Sequence, residues 1–289
     1  MTELNTNLFG EVIHEDPILR DRFIEPPFSV LDTKTGSWQN RKRAWAKKGL
    51  KSEVGRNASV INMGTKAKKG NSESYVSIFD PALCEVLYHW FCPSGGMILD
   101  PFAGGSVRGI VANFLGYKYT GIDIRQEQID SNRDQASDIL AANNQPNWYV
   151  GDSDKVLDEI DCRYDFVFSC PPYADLEVYS DMVGDISNMP YDDFITAYKS
   201  IIAKSCAKLK PGRYACFVVG EVRGKGGNFI GFVPDTIRAF QDCGMGFYNE
   251  AIILNNIASA SMRANGNMKS EKLVKVHQNI LVFRKAAAV

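Results

Sequence analysis

The chain has 289 residues, 45% of them hydrophobic, and a formal net charge of −1, which suits one large α/β domain or two small ones with a substantial buried core. No run of about 18 apolar residues exists to span a membrane, and the polar, acidic start MTELNTNLFGEVIHEDP lacks the basic-then-apolar order of a secretory signal, so a cytoplasmic location is expected. The seven cysteines are odd in number and never spaced as CxxC, which argues against a disulfide framework and a zinc site, and no metal is expected.

A near-neutral average counts against a nucleic-acid partner, but it hides an asymmetry. The segment WQNRKRAWAKKGLKSEVGR carries Arg41, Lys42, Arg43, Lys47, Lys48, Lys51 and Arg56 against the single acid Glu53. Such a run reads equally as a solvated helix face or as a contact with phosphates. Trp38 and Trp45 within it can pack on nucleotides or on a core.

In chain order, Met1 to about Arg22 shows no sustained period and reads as an arm. NMGTKAKKGNSES, from Asn62 to Ser74, reads as a polar loop, which sets a boundary near Tyr75 between an arm with its basic segment (1–74) and the main domain (75–289). Asp80 and Pro81 then form an N-cap and first helical position for a helix carrying Leu83, Val86, Leu87, Trp90 and Phe91. MILD is a short buried strand, SVRGIVANFLG a helix, YTGIDI a strand and QEQIDSNRDQASDILAAN a helix. WYVGD, the strand YDFVFS, the helix FITAYKSIIAKSCAKLK, the strand YACFVVGEV and the helix VPDTIRAFQDCG follow. The strands FYNEAIILNN and QNILVFRK, separated by what reads as the polar loop IASASMRANGNMKSEKLVKVH, close the chain. Alternating strands and helices predict an α/β fold, a doubly wound, mostly parallel sheet, ending in an antiparallel hairpin.

The first strand-to-helix junction reads ILDPFAGGSVRG. A Gly-rich loop admits close approach of a ligand to backbone, and the next helix offers its N-terminal amides. Gly104, Gly105 and Gly109 are not spaced as the GxGxxG of a nicotinamide site. Asp123 ends the next strand about 20 residues on, where a carboxylate can accept hydrogen bonds from both ribose hydroxyls of an adenosine. Gly151-Asp152-Ser153 ends the third strand, placed to meet an adenine ring. The alternative for Asp100, Asp123 and Asp152 is helix capping, which three acids in register at successive strand ends make less apt. The fourth strand leads into Cys170-Pro171-Pro172-Tyr173, a stiff loop without proline N–H donors, whose carbonyls and ring are left to face a ligand.

DPFAGGS at Asp100 to Ser106, together with CPPY at Cys170 to Tyr173 and the upstream FDPAL, resembles the S-adenosylmethionine-dependent amino-methyltransferases of DNA, whose signatures are DPFxGSG-type loops and [DNS]PPY. PPFSVLD, WQNRKRAW, SIFDPALCE and SCPPYADLEVYSD resemble the DNA methylases of phages and prophages. The resemblance extends from about Ile78 to Arg284 and implies a Rossmann-like class I methyltransferase fold. It implies S-adenosylmethionine held by Phe79, Asp80, Asp100, Pro101, Phe102, Ala103, Gly104, Gly105, Ser106, Asp123, Ile124, Asp152 and Ser153. It further implies that the first residue of the CPPY motif and the carbonyl of Pro171 accept the hydrogens of the target amino group while Tyr173 stacks on a flipped base.

The chain departs from the family at Cys170, where Asp, Asn or Ser is usual. A thiol is a weak acceptor, so either Cys170 fills the slot with reduced polarity or the loop shifts to present Ser169. Adenine N6 is the expected target, with cytosine N4 as the alternative. Cytosine C5 chemistry ranks low because Cys170 precedes its prolines. Methylation of RNA and a binding module with a decayed catalytic loop are further alternatives. The expected partner is double-stranded DNA, contacted by Arg41, Arg43, Lys47, Lys48 and Arg263; the candidate recognition segments are the basic N-terminal segment, the segment after the CPPY loop, and the polar loop holding Arg263 and Lys269 to Lys275, with the protein a monomer or homodimer.

Overall fold

The computed structural model describes residues 23–51, 79–173, 184–224, 226–254 and 258–287. The expected arm at 1–22 and the polar loop at 62–74 lie outside them.

Among the described residues eight strands form one sheet: β1 (Val30–Asp32), β2 (Met97–Asp100), β3 (Lys118–Asp123), β4 (Asn147–Val150), β5 (Tyr164–Ser169), β6 (Leu209–Val219), β7 (Gly246–Leu254) and β8 (His277–Arg284). Their order is β1-β7-β8-β6-β5-β2-β3-β4. Only β8 runs antiparallel, pairing with both β6 and β7, so the last two strands form the expected antiparallel pair with β8 on the inner side. The chain reverses its direction of winding between β2 and β5, which are parallel neighbours, and the crevice outside the carboxyl ends of such strands is where α/β sheets bind ligands. This is the doubly wound, mostly parallel α/β architecture that the alternation of strands and helices predicts, and it is Rossmann-like, as the resemblance implies.

Period-two alternation divides the core. Ile98, Phe166, Phe168, Cys216 and Val218 pack on one face of the sheet, against the helices α1 (Gly36–Lys47), α2 (Pro81–Phe91) and α3 (Val107–Phe114). Leu99, Val167, Phe217, Leu281 and Phe283 pack on the other, with α5 (Ser153–Glu159), α6 (Tyr191–Lys208) and α7 (Phe232–Asp242). Helix α4 (Gln126–Ile139) lies between β3 and β4 in sequence. At Gly109 a Cβ would stand 2.6 Å from the Trp148 ring, so the third glycine of the loop motif serves close packing of α3 on the sheet.

Two elements carry no expectation from the sequence, and a third departs from one. VLD of PPFSVLD is a strand, β1, paired in parallel with the end of β7. The segment after Asp152 forms α5, capped by the Asp152 carboxylate, which accepts from the Asp154 amide at 3.0 Å. The segment between β7 and β8, read as a polar loop, contains α8 (Ala258–Met268). Its Ala, Met and Arg residues favour helix without supplying the apolar period by which a helix is recognised.

The basic segment forms α1. Trp38 and Trp45 are 2% and 5% exposed and sit in the core with α2 and α3, so the core reading of the two indoles holds, and they are not available to stack on nucleotides. The Trp38 indole donates to Asp80 Oδ2 at 3.0 Å and that of Trp45 to Glu85 Oε2 at 3.3 Å.

Candidate nucleoside and base-binding cleft

The loop after β2 and the ends of β3, β4 and β5 enclose one cleft. Gly104, at φ +51°, turns the loop back on β3, and its amide donates to Asp123 Oδ2 at 3.0 Å. The Arg125 amide donates to Asp123 Oδ1 at 2.9 Å. Each carboxylate oxygen keeps a lone pair for a further donor, as a ribose diol requires. Burial raises the pKa of Asp123, and the Arg125 and Gly104 amides offset part of that rise.

The inner face of α4 braces this loop with polar groups, which a search for apolar periodicity passes over. Arg125 donates to Gln128 at 2.7 Å, Gln128 to Asn132 at 2.9 Å, and Asn132 to the Gly104 carbonyl at 2.7 Å. Gln135 accepts from Ser106 Oγ at 2.8 Å and donates to the Lys51 carbonyl at 2.6 Å, tying the N-terminal segment to the same loop. Every buried amide in this ladder has a partner, as burial in a low-dielectric interior demands.

Beneath the cleft lies a buried ion pair. Asp100, with no exposed surface, accepts from Arg108 Nε at 2.5 Å, Tyr119 Oη at 2.7 Å, Ser169 Oγ at 2.5 Å and the Phe102 amide at 3.1 Å. Arg108, 5% exposed, also donates through Nη2 to the carbonyls of Phe102 and Ala103. Burial disfavours its charge, but Asp100 more than compensates and holds the guanidinium pKa above its ordinary value. Arg108 reaches the cleft wall, packed over the Phe79 ring at 4.6 Å, and its Nη1 makes no hydrogen bond among the described residues.

The expected cofactor residues therefore divide. Phe79, Pro101, Phe102, Gly104, Gly105, Asp123, Ile124, Asp152 and Ser153 line the cleft. Asp80, Asp100, Ala103 and Ser106 do not. Asp80 caps α2 through the Ala82 amide and pairs with Lys42 at 3.2 Å. Asp100, Ala103 and Ser106 are spent on the loop's own framework. Their proximity in sequence to lining residues is a property of the tight turn, in which every third side chain, at 100, 103 and 106, points into the fold.

Cys170, Pro171, Pro172 and Tyr173 line the opposite wall. Ser169 is fully buried and its hydroxyl is held by Asp100, so the loop does not present Ser169 in place of Cys170. Cys170 occupies the first position of the motif facing the cleft. Tyr173 is positioned by residues that the sequence did not single out: Gln278, at the start of β8, donates to its Oη at 2.8 Å, and Phe232 meets the ring edge-on at 5.9 Å. Gly220, just past β6, lies beside the Tyr173 hydroxyl, where a Cβ would make an ordinary contact at 3.4 Å. Asp185 also lines the cleft, its carboxylate accepting from the Ser187 amide and hydroxyl at 2.9 and 2.6 Å. Residues 174–183, after the Cys170–Tyr173 loop, lie outside the described residues.

Of the basic residues expected at DNA, Arg41 is engaged by Glu25 at 3.3 Å and Glu85 at 2.8 Å, which spends its charge within the fold. Arg43, Lys47 and Lys48 are exposed, Lys48 lying over the Phe114 ring at 4.3 Å. Arg263 falls on α8, with its side chain outside the described residues. Among the described residues no helix is long and apolar enough to cross a membrane, and no group of three or more His, Cys, Asp or Glu side chains could hold a metal ion.

A family model of N6/N4 methyltransferases, described as DNA methylase, matches residues 24–134, less than half of the chain. No curated protein matches significantly. Among solved structures, TrmN from Thermus thermophilus is similar at 13% identity and a TM-score of 0.48, over 72% of this chain and 49% of that one. This chain thus spans about half of that protein. A SAM-dependent methyltransferase from Methanosarcina mazei is similar at 15% identity and a TM-score of 0.45, over 70% and 98% of the two chains. Magnesium protoporphyrin IX methyltransferase from Synechocystis, with bound SAM, is similar at 13% identity and a TM-score of 0.46, over 97% and 100%.

Proposed function

We propose that this chain is an S-adenosylmethionine-dependent methyltransferase acting on the exocyclic amino group of a base in double-stranded DNA, with adenine N6 as the target. The observation that carries the reading is the convergence on one cleft of the Asp123 carboxylate and the Cys170–Tyr173 loop. The match of residues 24–134 to a DNA methylase model supports it.

The cleft's own chemistry fits the cofactor. Asp123 is suited to the ribose hydroxyls, and Asp152 and Ser153, at the next strand end, would hold the adenine. Arg108 Nη1 is the donor suited to the carboxylate of the amino-acid end, beside the Phe79 ring. Asp123, Asp152 and Asp185 face Arg125 and an Arg108 already balanced by Asp100. This acid-rich lining favours a cationic ligand over the diphosphate of a dinucleotide. S-adenosylmethionine supplies an electrophilic methyl group on a sulfonium, with a neutral thioether as leaving group.

The protein's contribution is placement. The Pro171 carbonyl and Cys170 accept the amino hydrogens, which aims the nitrogen lone pair into the cleft. Tyr173, fixed by Gln278, stacks on the base. Orientation and desolvation of a neutral amine account for the acceleration without a covalent intermediate. A base paired within a duplex cannot reach a cleft walled by strand ends, so the nucleotide must be extruded.

The test is mass spectrometry of nucleosides from DNA of cells expressing the native chain or a Tyr173→Ala variant. N6-methyladenine appearing with the native chain alone is the expected result. N4-methylcytosine instead would transfer the reading to cytosine, and no methylated nucleoside in DNA would overturn it.

A further inference from the structure

Two segments border Tyr173 and have no part in the cofactor half of the cleft. The first follows β6: Gly220 lies against the Tyr173 hydroxyl, and the chain then makes a short hairpin closed by the antiparallel bridge Arg223–Phe229. The second is the segment from the end of α8 to Gln278, the residue that holds Tyr173. The two touch, because Lys272 Nζ lies against Gly227 at the hairpin tip, where a Cβ would meet it at 2.7 Å. Arg223 fixes the hairpin by donating to the Gly227 carbonyl at 2.7 Å and stacking on the Phe229 ring at 4.0 Å.

The surface so formed has a distinct composition. Arg223, Lys269, Lys272 and Lys275 carry its positive charge, and none is paired with a carboxylate among the described residues. Of its acids, Glu221 is consumed by the amides of Val222, Gly231 and Phe232 at 3.0–3.1 Å, which leaves Glu271. Three large apolar side chains project from this basic frame: Phe229 at 53%, Met268 at 58% and Leu273 at 80% exposure, the last the greatest of any large apolar residue among those described. A monomer gains nothing by holding such groups in water, and basic residues around apolar wedges suit a duplex whose phosphates are gripped while a base step is opened.

We infer that the Arg223–Phe229 hairpin and the Lys269–Lys275 segment together form the duplex-docking surface of this enzyme, the lysines holding phosphates and Phe229 entering the base stack beside the extruded nucleotide. This deepens the DNA reading above and rests on it. It moves the main grip from α1, where Arg41 is spent on carboxylates, to the rim next to the catalytic tyrosine.

The test uses the full chain with a labelled mixed-sequence 30-base-pair duplex for binding and unmethylated genomic DNA for methyl transfer. In a Lys269→Gln, Lys272→Gln, Lys275→Gln variant the slope of log K against log salt should shrink by about 0.9 for each phosphate that is no longer neutralised. The corresponding triple Lys→Arg variant should restore it, and circular dichroism should show both folded. Lys118→Gln, exposed at the start of β3 and at the opposite end of the strands from the cleft, should leave the slope as in the native chain. Phe229→Ala should keep the slope but lose at least tenfold in methyl transfer to genomic DNA. Native slope in the Lys→Gln variant, or native turnover in Phe229→Ala, overturns the assignment while leaving the enzyme a DNA methyltransferase. Absence of methyl transfer to genomic DNA by the native chain, or stronger competition by transfer RNA than by duplex, overturns the DNA reading and this surface with it.

Discussion

Replacing Asp100 with Asn tests the claim that this residue is a buried framework group and does not touch the cofactor. The carboxylate accepts four hydrogen bonds, two on each oxygen: Ser169 Oγ and the Phe102 amide on Oδ1, Arg108 Nε and Tyr119 Oη on Oδ2. The hydroxyls of Ser169 and Tyr119 can rotate, but the Phe102 N–H and the Arg108 Nε–H cannot. Whichever way the new amide is oriented, its NH2 confronts one fixed N–H donor. The substitution also leaves Arg108, 5% exposed, without its counter-charge. Breaking a buried pair by removing one partner costs roughly 3–5 kcal/mol. At about 2–4 °C per kcal/mol for a chain of this size, the midpoint of thermal unfolding should fall by roughly 6–20 °C. Urea unfolding followed by tryptophan fluorescence gives the free energy, and Trp38, Trp45 and Trp148 in the core supply the signal. At temperatures where the variant remains folded, its affinity for S-adenosylmethionine should stay within a few-fold of native. A drop of less than about 1 kcal/mol in stability, or a collapse of cofactor affinity in a fully stable variant, would refute the reasoning.

Gln278→Ala removes the hydrogen bond to Tyr173, worth about 1 kcal/mol, so kcat/KM for methyl transfer should fall roughly fivefold while cofactor affinity is unchanged in isothermal titration. Burial lifts Asp123 above the ordinary carboxylate pKa of about 3.9, so its protonation sets in at a higher pH than for a free Asp. Nucleoside affinity, which needs the ionised acceptor, should therefore weaken on acidification before the ordinary carboxylate range is reached; Asp123→Asn should abolish that limb in a titration of Kd against pH. Cys170→Asn supplies a stronger acceptor in the same slot and should match or exceed native turnover by up to about fivefold, while Cys170→Ala should fall below it. An inactive, folded Cys170→Asn would show that Cys170 does not hold the amino group.

Much of the fold is legible in the sequence because the relevant signals are local. Strands such as MILD and YDFVFS are apolar runs bounded by turn residues, and the helix at Pro81–Phe91 announces itself by Asp80, Pro81 and a 3.6-residue period. Their alternation, with two strands at the end, is enough to specify a mostly parallel sheet with one reversed strand. Where the local signal is weak the sequence misleads: α8 has no apolar stripe, and β1 spans only Val30–Asp32, held by its pairing with β7.

The motif spacing likewise locates the cleft, since DPFAGGS, Asp123, Asp152 and CPPY must fall at neighbouring strand ends once the sheet is parallel. What spacing does not determine is which way each side chain faces. Asp100 and Asp123 both end a strand, yet Asp100 is enclosed by Arg108, Tyr119 and Ser169 while Asp123 opens on the cleft. Ser169 and Cys170 are adjacent, and the pleat turns one to Asp100 and the other to the cleft. Gln278 stands 105 residues from Tyr173 and reaches it because β8 runs antiparallel beside β6, bringing its first residues to the edge that holds the cleft. The sequence by itself determined the chemistry available to this protein. Tertiary structure decided which of those groups are spent on one another in the interior and which keep a free lone pair or N–H facing the cleft, because that depends on register and burial between segments far apart in the chain.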